Sequence, residues 1–579
     1  MTRLLSIEKL KSVLGSFSTS LSRFPVTLLC SLFGTVFLII MVTDDNQGKD
    51  FEKIATTLVL FLPLFFSVEI FEERKITPRF LVLGLSIMAF LAFYYFGSPT
   101  SKDIFRSKLY LIKYGVLVIV FHLLVSVAPY IFKNNPSGFW QYNKTLFINI
   151  LTAFLYTGTL TAGLLLAVGG IQNLFELLID NDWYVYIWFG LNGFFNTLIF
   201  TSKLPSLDKM DLELDYPIGL KYFTQYVLLP LVAIYLGILI AYEAKIALQW
   251  SLPQGWVSIM VLASAIFGIL AFLLIYPLKE TNRWIQTYTK LYYWILLPLV
   301  GLMMVAIYVR ISQYGITEPR FFVALLAVWL LGVSLYFSIS KVDNIKIIPL
   351  SLLLVGLFGI YAPFNAFQSS RINQEGRLDE VLNKYKLLKD GKIAVPVNVK
   401  LDSTDEDRAY AALEYLSENQ PERLKKYLII KQFDELIAEK NAYNRRQLAL
   451  KTTGFPDRKA IDLDKYFSVE DTDVIPLEKS DFLILPLEYR EEGQLAKIED
   501  DTFKWNLNDN ILTIVINDKE KVIFDLDTIS DFSSNKLPSS KLTFRKENSK
   551  FKFRLLIESG NSSKGRLYGL RWKLLLTRK

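Results

Sequence analysis

Eleven stretches of the first 370 residues contain no Lys, Arg, Asp or Glu and are mostly long enough to cross a bilayer. They are Phe24–Thr43, Ile54–Val68, Phe80–Ser101, Tyr114–Phe132, Thr145–Phe175, Trp183–Ser202, Tyr222–Tyr242, Ile246–Leu278, Leu291–Val309, Phe321–Ser340 and Ile347–Ser370. A helix gains about 1.5 Å per residue and the hydrocarbon core is about 30 Å thick, so a span takes roughly 17–25 residues. Ile54–Val68 is short and stops at Glu69. Thr145–Phe175 and Ile246–Leu278 are too long for one span and too short for two, which predicts an interfacial extension on each. Pro253-Gln254-Gly255 marks one such break. Aromatic residues crowd the ends, as interface anchors do. The apolar run after Arg23 is span-length and no small-residue cleavage site follows it, so the first span is expected to remain as an anchor.

Charge divides the chain sharply. Residues 1–370 hold 26 Lys and Arg and 20 Asp and Glu, whereas 371–579 hold 38 and 36. Charged residues are thus about 12% of the first part and about 35% of the second. The first part suits lipid and the second suits water. The expected fold is a polytopic α-helical membrane protein of about eleven spans, followed by a soluble α+β C-terminal domain with a β-rich end. Its expected divisions are a transmembrane domain at 1–370, a helical juxtamembrane segment at 371–470 and a β-rich domain at 471–579. Ser403-Thr404-Asp405-Glu406 ahead of Tyr410, Leu413 and Leu416 predicts a capped amphipathic helix. Gly391 predicts a helix stop. Phe482–Leu487, Ile511–Ile516, Lys521–Leu526, Lys541–Phe544, Phe551–Ile557 and Tyr568–Leu576 read as strands.

Composition excludes several classes of function. One cysteine, Cys30, permits no intrachain disulfide. With a single histidine, His122, it also excludes metal centres that need several of either, and no metal or cofactor is expected. The basic residues are dispersed near span ends, so nucleic acid is not an expected partner. G-x-S-x-G and G-x-x-x-x-G-K-[ST] are absent. Short loops on the N-terminal side carry 17 Lys and Arg against 13 on the other side. That bias places the N-terminus in the cytoplasm and, after an odd number of spans, the C-terminal domain outside a bacterial inner membrane.

Some polar residues stand out as site candidates. Arg310…Tyr314-Gly315-Ile316-Thr317-Glu318-Pro319-Arg320 joins two spans. Gly315 can end the first helix with a positive φ and Thr317 can cap the second. Glu318 neutralises only one arginine, which predicts a contact with the segment after Ser370 through Glu375, Asp379 or Glu380. Lys279 and Arg283 lie in a dense loop on the opposite side and are candidates for anchoring or partner binding. Asn149, Thr152, Tyr156, Thr159 and Gly163 fall at steps of three and four, predicting a small-residue packing seam that Asn192 and Asn196 can face. His122, one turn from Ser126, is an intramembrane titratable group, for which a structural hydrogen bond is the plainer role than a proton relay. Asp44 and Asp45, and Glu176, Asp180 and Asp182, would face outside. Multi-span lipid-sugar transferases place an acidic pair in their first outer loop, where it can act as base or metal ligand. Here that loop is only about ten residues, too short for an enclosed pocket.

Arg310…Tyr314-Gly315-Ile316-Thr317-Glu318…Arg320 with Phe321–Leu331, and Leu378…Leu382…Lys389-Asp390-Gly391-Lys392-Ile393, resemble a bacterial membrane family catalogued as domain of unknown function 4153. The resemblance covers most of residues 24–415 in layout; it implies an architecture and, the family having no established activity, supplies no catalytic residues. The expected role is an envelope sensor, scaffold or assembly factor rather than an enzyme. Membrane lipids and an envelope protein or lipid-linked molecule are its expected partners. The alternatives are a lipid-linked transferase using Asp44 and Asp45, and a transporter using the seam in the fifth span.

Overall fold

The computed structural model describes residues 7–43, 49–97, 107–212, 215–249, 256–279, 282–340, 344–393, 401–439, 441–455, 465–469, 482–484, 492–498, 501–508, 510–529, 536–537, 542–563 and 566–579. They form two compact units, the first extending to Ala449 and the second covering Leu450–Lys579. Asp44, Asp45 and the Pro253-Gln254-Gly255 break lie outside the described residues.

Among the described residues, nine helices are long and apolar enough to cross a membrane. A tenth is added if Ile347–Tyr361 and Ala366–Lys384, which meet at 44°, count as one broken span. The expected sixth span, Trp183–Ser202, falls in a helical run from Asp182 to Ser202 with a π-helical turn at Gly190–Phe195, and it is not among the nine. The short second stretch extends into a helix of 24 residues, Lys49–Glu72. It outruns the uncharged stretch because Glu69 is buried, 3% exposed, and accepts hydrogen bonds from Val26 N (2.7 Å), Thr27 N (3.1 Å) and Thr27 Oγ1 (2.5 Å). The carboxylate thereby caps the helix Pro25–Thr43 from a neighbouring helix, satisfying N–H groups that a helix start leaves open. Pro136–Leu174 is one helix of 39 residues, about 58 Å long and nearly twice the hydrocarbon thickness.

The core of the helical unit is rich in aromatic rings. Tyr130, Tyr142, Tyr292, Tyr293 and Phe272 are fully buried. Phe337 stacks on Tyr293 with centroids 4.9 Å apart, and Phe272 meets Tyr293 edge-on at 5.2 Å. Such rings bring large apolar surface and a preferred geometry.

The first unit continues well past the charge jump at Ser370. Ala366–Lys384 and Ser403–Asn419 pack together and belong to it. The second of these is capped by Asp402, which accepts from Thr404 N, rather than by Ser403 or Thr404. Tyr410, Leu413 and Leu416 are buried, as the amphipathic spacing predicts. Gly391 is not a helix stop. The helix ends at Lys384, and Leu388–Lys389 pairs antiparallel with Lys392–Ile393 across Asp390 (φ 51°) and Gly391 (φ 75°). Asp-Gly is the sequence pair that tolerates positive φ at both central positions of a tight hairpin.

Among the described residues, the strands of the second unit pair antiparallel except where Lys465–Val469 pairs parallel with Lys536–Leu537. Glu492–Ile498, Asp501–Asn508, Ile511–Ile516 and Glu520–Asp525 form a four-stranded meander. The long strands Phe551–Ser563 and Arg566–Arg578 pair at the centre of a second sheet. Alternate residues of both sheets share one core, in which Trp505 meets Trp572 at 5.3 Å and Phe503 meets Phe551 at 5.7 Å. Hydrophobic alternation found most of these strands. It missed Lys465–Val469, which lies in the segment expected to be helical, Glu492–Ile498, Lys536–Leu537 and Asp501–Asn508, the last with inward Phe503, Trp505 and Leu507 alternating with lysine and asparagine.

Candidate functional site

The helix Arg283–Tyr314 stops at Gly315, whose φ is 77° and whose N–H reaches Ile311 O at 2.8 Å. Three residues later Glu318–Ile339 begins with Pro319 in its first turn. Thr317 precedes it but makes no side-chain capping bond. A Cβ on residue 315 would lie 2.6–2.7 Å from Gln374 Nε2, Arg377 Cδ and Asn373 Oδ1, so only glycine fits both the conformation and the space.

That closeness comes from a docked helix. Ala366–Lys384 lies against the hairpin, and Asn373 Oδ1 accepts from Ile316 N at 2.8 Å. Gln374 Nε2 donates to Ile316 O at 2.9 Å and Tyr314 O at 3.3 Å, and Arg377 donates to Gln313 O at 2.7 Å and Ser312 O at 3.4 Å. The expected contact with the segment after Ser370 thus exists, but through amide and guanidinium groups. Glu375 and Asp379 pair instead with Arg423 and Lys426. The backbone explains the difference: a helix C-terminus offers carbonyls with partial negative charge, which call for donors.

Glu318 does not neutralise an arginine. It is 3% exposed and accepts a hydrogen bond of 2.5 Å from Tyr415 Oη on Ser403–Asn419. Burial, then this bond to a carboxylate, pushes the Tyr415 phenol well above its ordinary range, so it remains a donor. Arg320 Nη1 donates to Tyr314 O and Gly315 O at 3.1 and 2.9 Å. The guanidinium carbons of Arg310 and Arg320 sit 5.7 and 5.4 Å from the Tyr314 ring centre. Among the described residues no carboxylate forms an ion pair with Arg310, Arg320 or Arg377, so three cations gather at one helix C-terminus.

At the other end of Glu318–Ile339, a 22-residue helix about 33 Å long, the chain enters a second polar layer. Lys346 Nζ reaches Tyr130 O at 2.9 Å, and the Tyr130 hydroxyl donates to Asp211 Oδ1 at 2.8 Å. Asp211 also accepts from both terminal nitrogens of Arg74 (2.5 and 3.3 Å), Lys133 Nζ (2.7 Å) and Asn135 Nδ2 (3.3 Å). Burial alone would raise its pKa. The bonds from Arg74, Lys133 and Tyr130 outweigh burial and hold the carboxyl down at about 2. The sequence marked neither Asp211 nor Arg74, because nothing local relates residues 137 positions apart.

The remaining candidates fall separately. Asn192 and Asn196 do face Pro136–Leu174, donating to Thr161 Oγ1 (3.1 Å) and Thr157 Oγ1 (3.0 Å). The buried face there is Asn149, Ala153, Thr157 and Thr161, while Tyr156, Thr159 and Gly163 are exposed. The Tyr156 ring carries Lys203 Nζ at 4.2 Å. His122 Nδ1 bonds Val118 O at 2.8 Å, and its side chain lines a lateral cleft of about 230 Å³ that Asn196 also lines. Ser126 bonds Asn143 rather than His122. Asp180 and Glu176 are exposed, and Asp180 accepts from Asp182 N in a local turn. Lys279 is half-buried and Arg283 exposed. Among the described residues, no three His, Cys, Asp or Glu groups are placed to hold a metal ion.

The profile of a family described as domain of unknown function (DUF4153) matches residues 24–396. The uncharacterised protein PM1469 of Pasteurella multocida (strain Pm70) is 24% identical over 392 residues, 65% of this chain and 63% of that protein. The chain therefore spans a little under two thirds of the length of this curated relative. No solved structure matches.

Proposed function

The chain belongs to the family described as domain of unknown function (DUF4153), and on that premise we propose that it is an envelope scaffold whose membrane helices hold a rigid helical platform on the extracytoplasmic face of a bacterial inner membrane. The observation that carries this reading is the clamp at Gly315. Residues before the hairpin, within it and on two later helices are tied by Asn373, Gln374, Arg377 and the buried Glu318–Tyr415 bond. The platform is braced again where Asp405 accepts from Lys384 (2.5 Å) and Tyr385 (3.1 Å), and where Asp379 accepts from Lys426 and Tyr427. The β-rich unit follows this platform directly in the chain. Arg310, Arg320 and Arg377 give the hairpin a positive charge that suits the phosphates of membrane lipids or an acidic envelope partner. The charge bias of 17 against 13, counted with all eleven uncharged stretches crossing, supports the outward placement of the platform.

Two measurements test it. A cysteine at Ser562 should react with an impermeant maleimide in intact spheroplasts; labelling only after lysis reverses the orientation. Hydrogen exchange in native membranes should show residues 366–419 protected, and Tyr415→Phe should loosen them selectively. Free exchange there in the unaltered protein would remove the scaffold reading.

A further inference from the structure

A pocket of about 430 Å³ opens where Ile7–Arg23 ends and where the turn between Lys49–Glu72 and Arg79–Ala92 returns the chain towards the bilayer. Its volume is in the range of small-ligand sites. It lies beside the ends of two helices apolar enough to cross a membrane, Phe51–Glu72 and Arg79–Gly97.

Three carboxylates and three cations line it, and most are already committed. Glu69 caps the neighbouring helix. Glu73 pairs with Arg23 at 2.8 Å, and Arg23 also donates to Leu204 O and Pro205 O. Glu72 is different. Its side chain is 9% exposed and its Oε2 accepts from Arg79 Nε at 2.9 Å, yet Oε1 is buried with no hydrogen-bond partner. The Thr77 hydroxyl is likewise buried and unpartnered. A buried acceptor left open in this way is unfavourable, more so when charged, unless a ligand fills it. Nearer solvent, Lys75 is exposed, and the Arg79 side chain is 58% exposed. Lys75 is held in place by its positive φ of 54° and its N–H bond to Glu72 O at 2.9 Å.

We propose that this pocket binds a zwitterionic headgroup of the aminoethyl-phosphate class. The ammonium donates to Glu72 Oε1 and Thr77 Oγ1, and the phosphate faces Lys75 and Arg79. A primary ammonium has three N–H donors, enough to serve both open acceptors with one left for water. A trimethylammonium has none, and no aromatic ring lines the pocket to form the cage that such a cation uses. A glycerol-phosphate headgroup brings hydroxyl donors but no cation to Glu72 Oε1. The same chemistry is carried by phosphatidylethanolamine in the bilayer and by free phosphoethanolamine in water.

The test is native mass spectrometry of the full chain in detergent, with phosphatidylethanolamine, phosphatidylcholine or phosphatidylglycerol added at equal concentration. Retention of phosphatidylethanolamine at least tenfold above the other two is expected. Glu72→Gln should abolish that preference. Thr77→Val, which keeps the shape and the Glu72–Arg79 pair, should reduce it several-fold with an unchanged melting temperature, so the result stands even if Glu72→Gln fails to fold. Competition by soluble phosphoethanolamine at micromolar concentration assigns the site to the free compound; absence of competition assigns it to the lipid. Equal retention of the three lipids without phosphoethanolamine binding, or a preference that survives both substitutions, overturns the proposal.

Discussion

The two ends of Glu318–Ile339 solve opposite electrostatic problems. At the Asp211 end, one carboxylate meets a guanidinium, an ammonium, a phenol and an amide. At the Gly315 end, Arg320 and Arg377 meet backbone carbonyls, Arg310 lies over the Tyr314 ring, and among the described residues none of the three pairs with a carboxylate, while the nearby Glu318 is turned inward to a phenol. The first arrangement saturates a charge and locks helices that are far apart in sequence. The second satisfies the backbone and leaves positive charge over. A charge balanced from every side serves stability, and one left unbalanced at a membrane edge retains capacity for a ligand or partner.

Removing the carboxylate at the saturated end should cost most. Asp211→Asn strands Arg74, whose side chain is 8% exposed, and should destabilise the protein by about 3 kcal/mol. Thermal unfolding of the full chain in detergent checks this, with Lys133→Ala as the milder companion because that side chain is 43% exposed. Equal losses for the two would show that the buried Arg74–Asp211 pair is not what holds this layer together.

Next in size is Gly315→Val. A branched side chain at φ 77° against Gln374, Arg377 and Asn373 should cost about 2–3 kcal/mol. Its signature is local: faster hydrogen exchange over residues 366–419 with the Asp211 layer still protected. Uniform loosening of both layers would show that the two ends are not separable.

Acid sharpens the comparison further. Asp211 has a native pKa depressed from the ordinary 3.8 to about 2, so its contribution is complete above the ordinary value and is lost as pH falls through about 2. That contribution is about 1–2 kcal/mol once solvent screening is counted. The stability gap between the unaltered protein and Asp211→Asn should therefore narrow from pH 4 towards pH 2. A gap that widens on acidification contradicts the sign.

The smallest effect on stability belongs to Arg320→Ala, below about 1 kcal/mol, because its bonds reach partly exposed carbonyls. It should nevertheless reduce anionic-lipid retention in native mass spectrometry more than Lys133→Ala does. Because Arg320 meets Tyr314 and Gly315 rather than an acidic partner, Glu380→Lys is not expected to rescue Arg320→Glu.

Most of the apolar helices and the alternation of Phe551–Ile557 were legible because hydropathy is local and additive: a window of some twenty residues holds the whole signal. The hairpin at Gly315 was legible for a similar reason, since positive φ selects glycine whatever lies nearby. Other local readings failed where two structures share one signal. Asp390-Gly391 suits a helix end or a tight hairpin, and the next two residues decide by pairing.

What only the tertiary structure decided is the partner of each polar side chain. Glu318 meets Tyr415 across 97 positions, Arg74 meets Asp211 across 137, and Lys346 meets Tyr130 across 216. Glu69 looked like the end of a span, yet it is the buried cap of another helix. A hydrogen bond depends on a few tenths of an ångström in three dimensions, whereas membrane insertion depends on the mean polarity of a segment. The sequence by itself therefore determined which segments suit lipid, and packing determined which charges are balanced and which remain open.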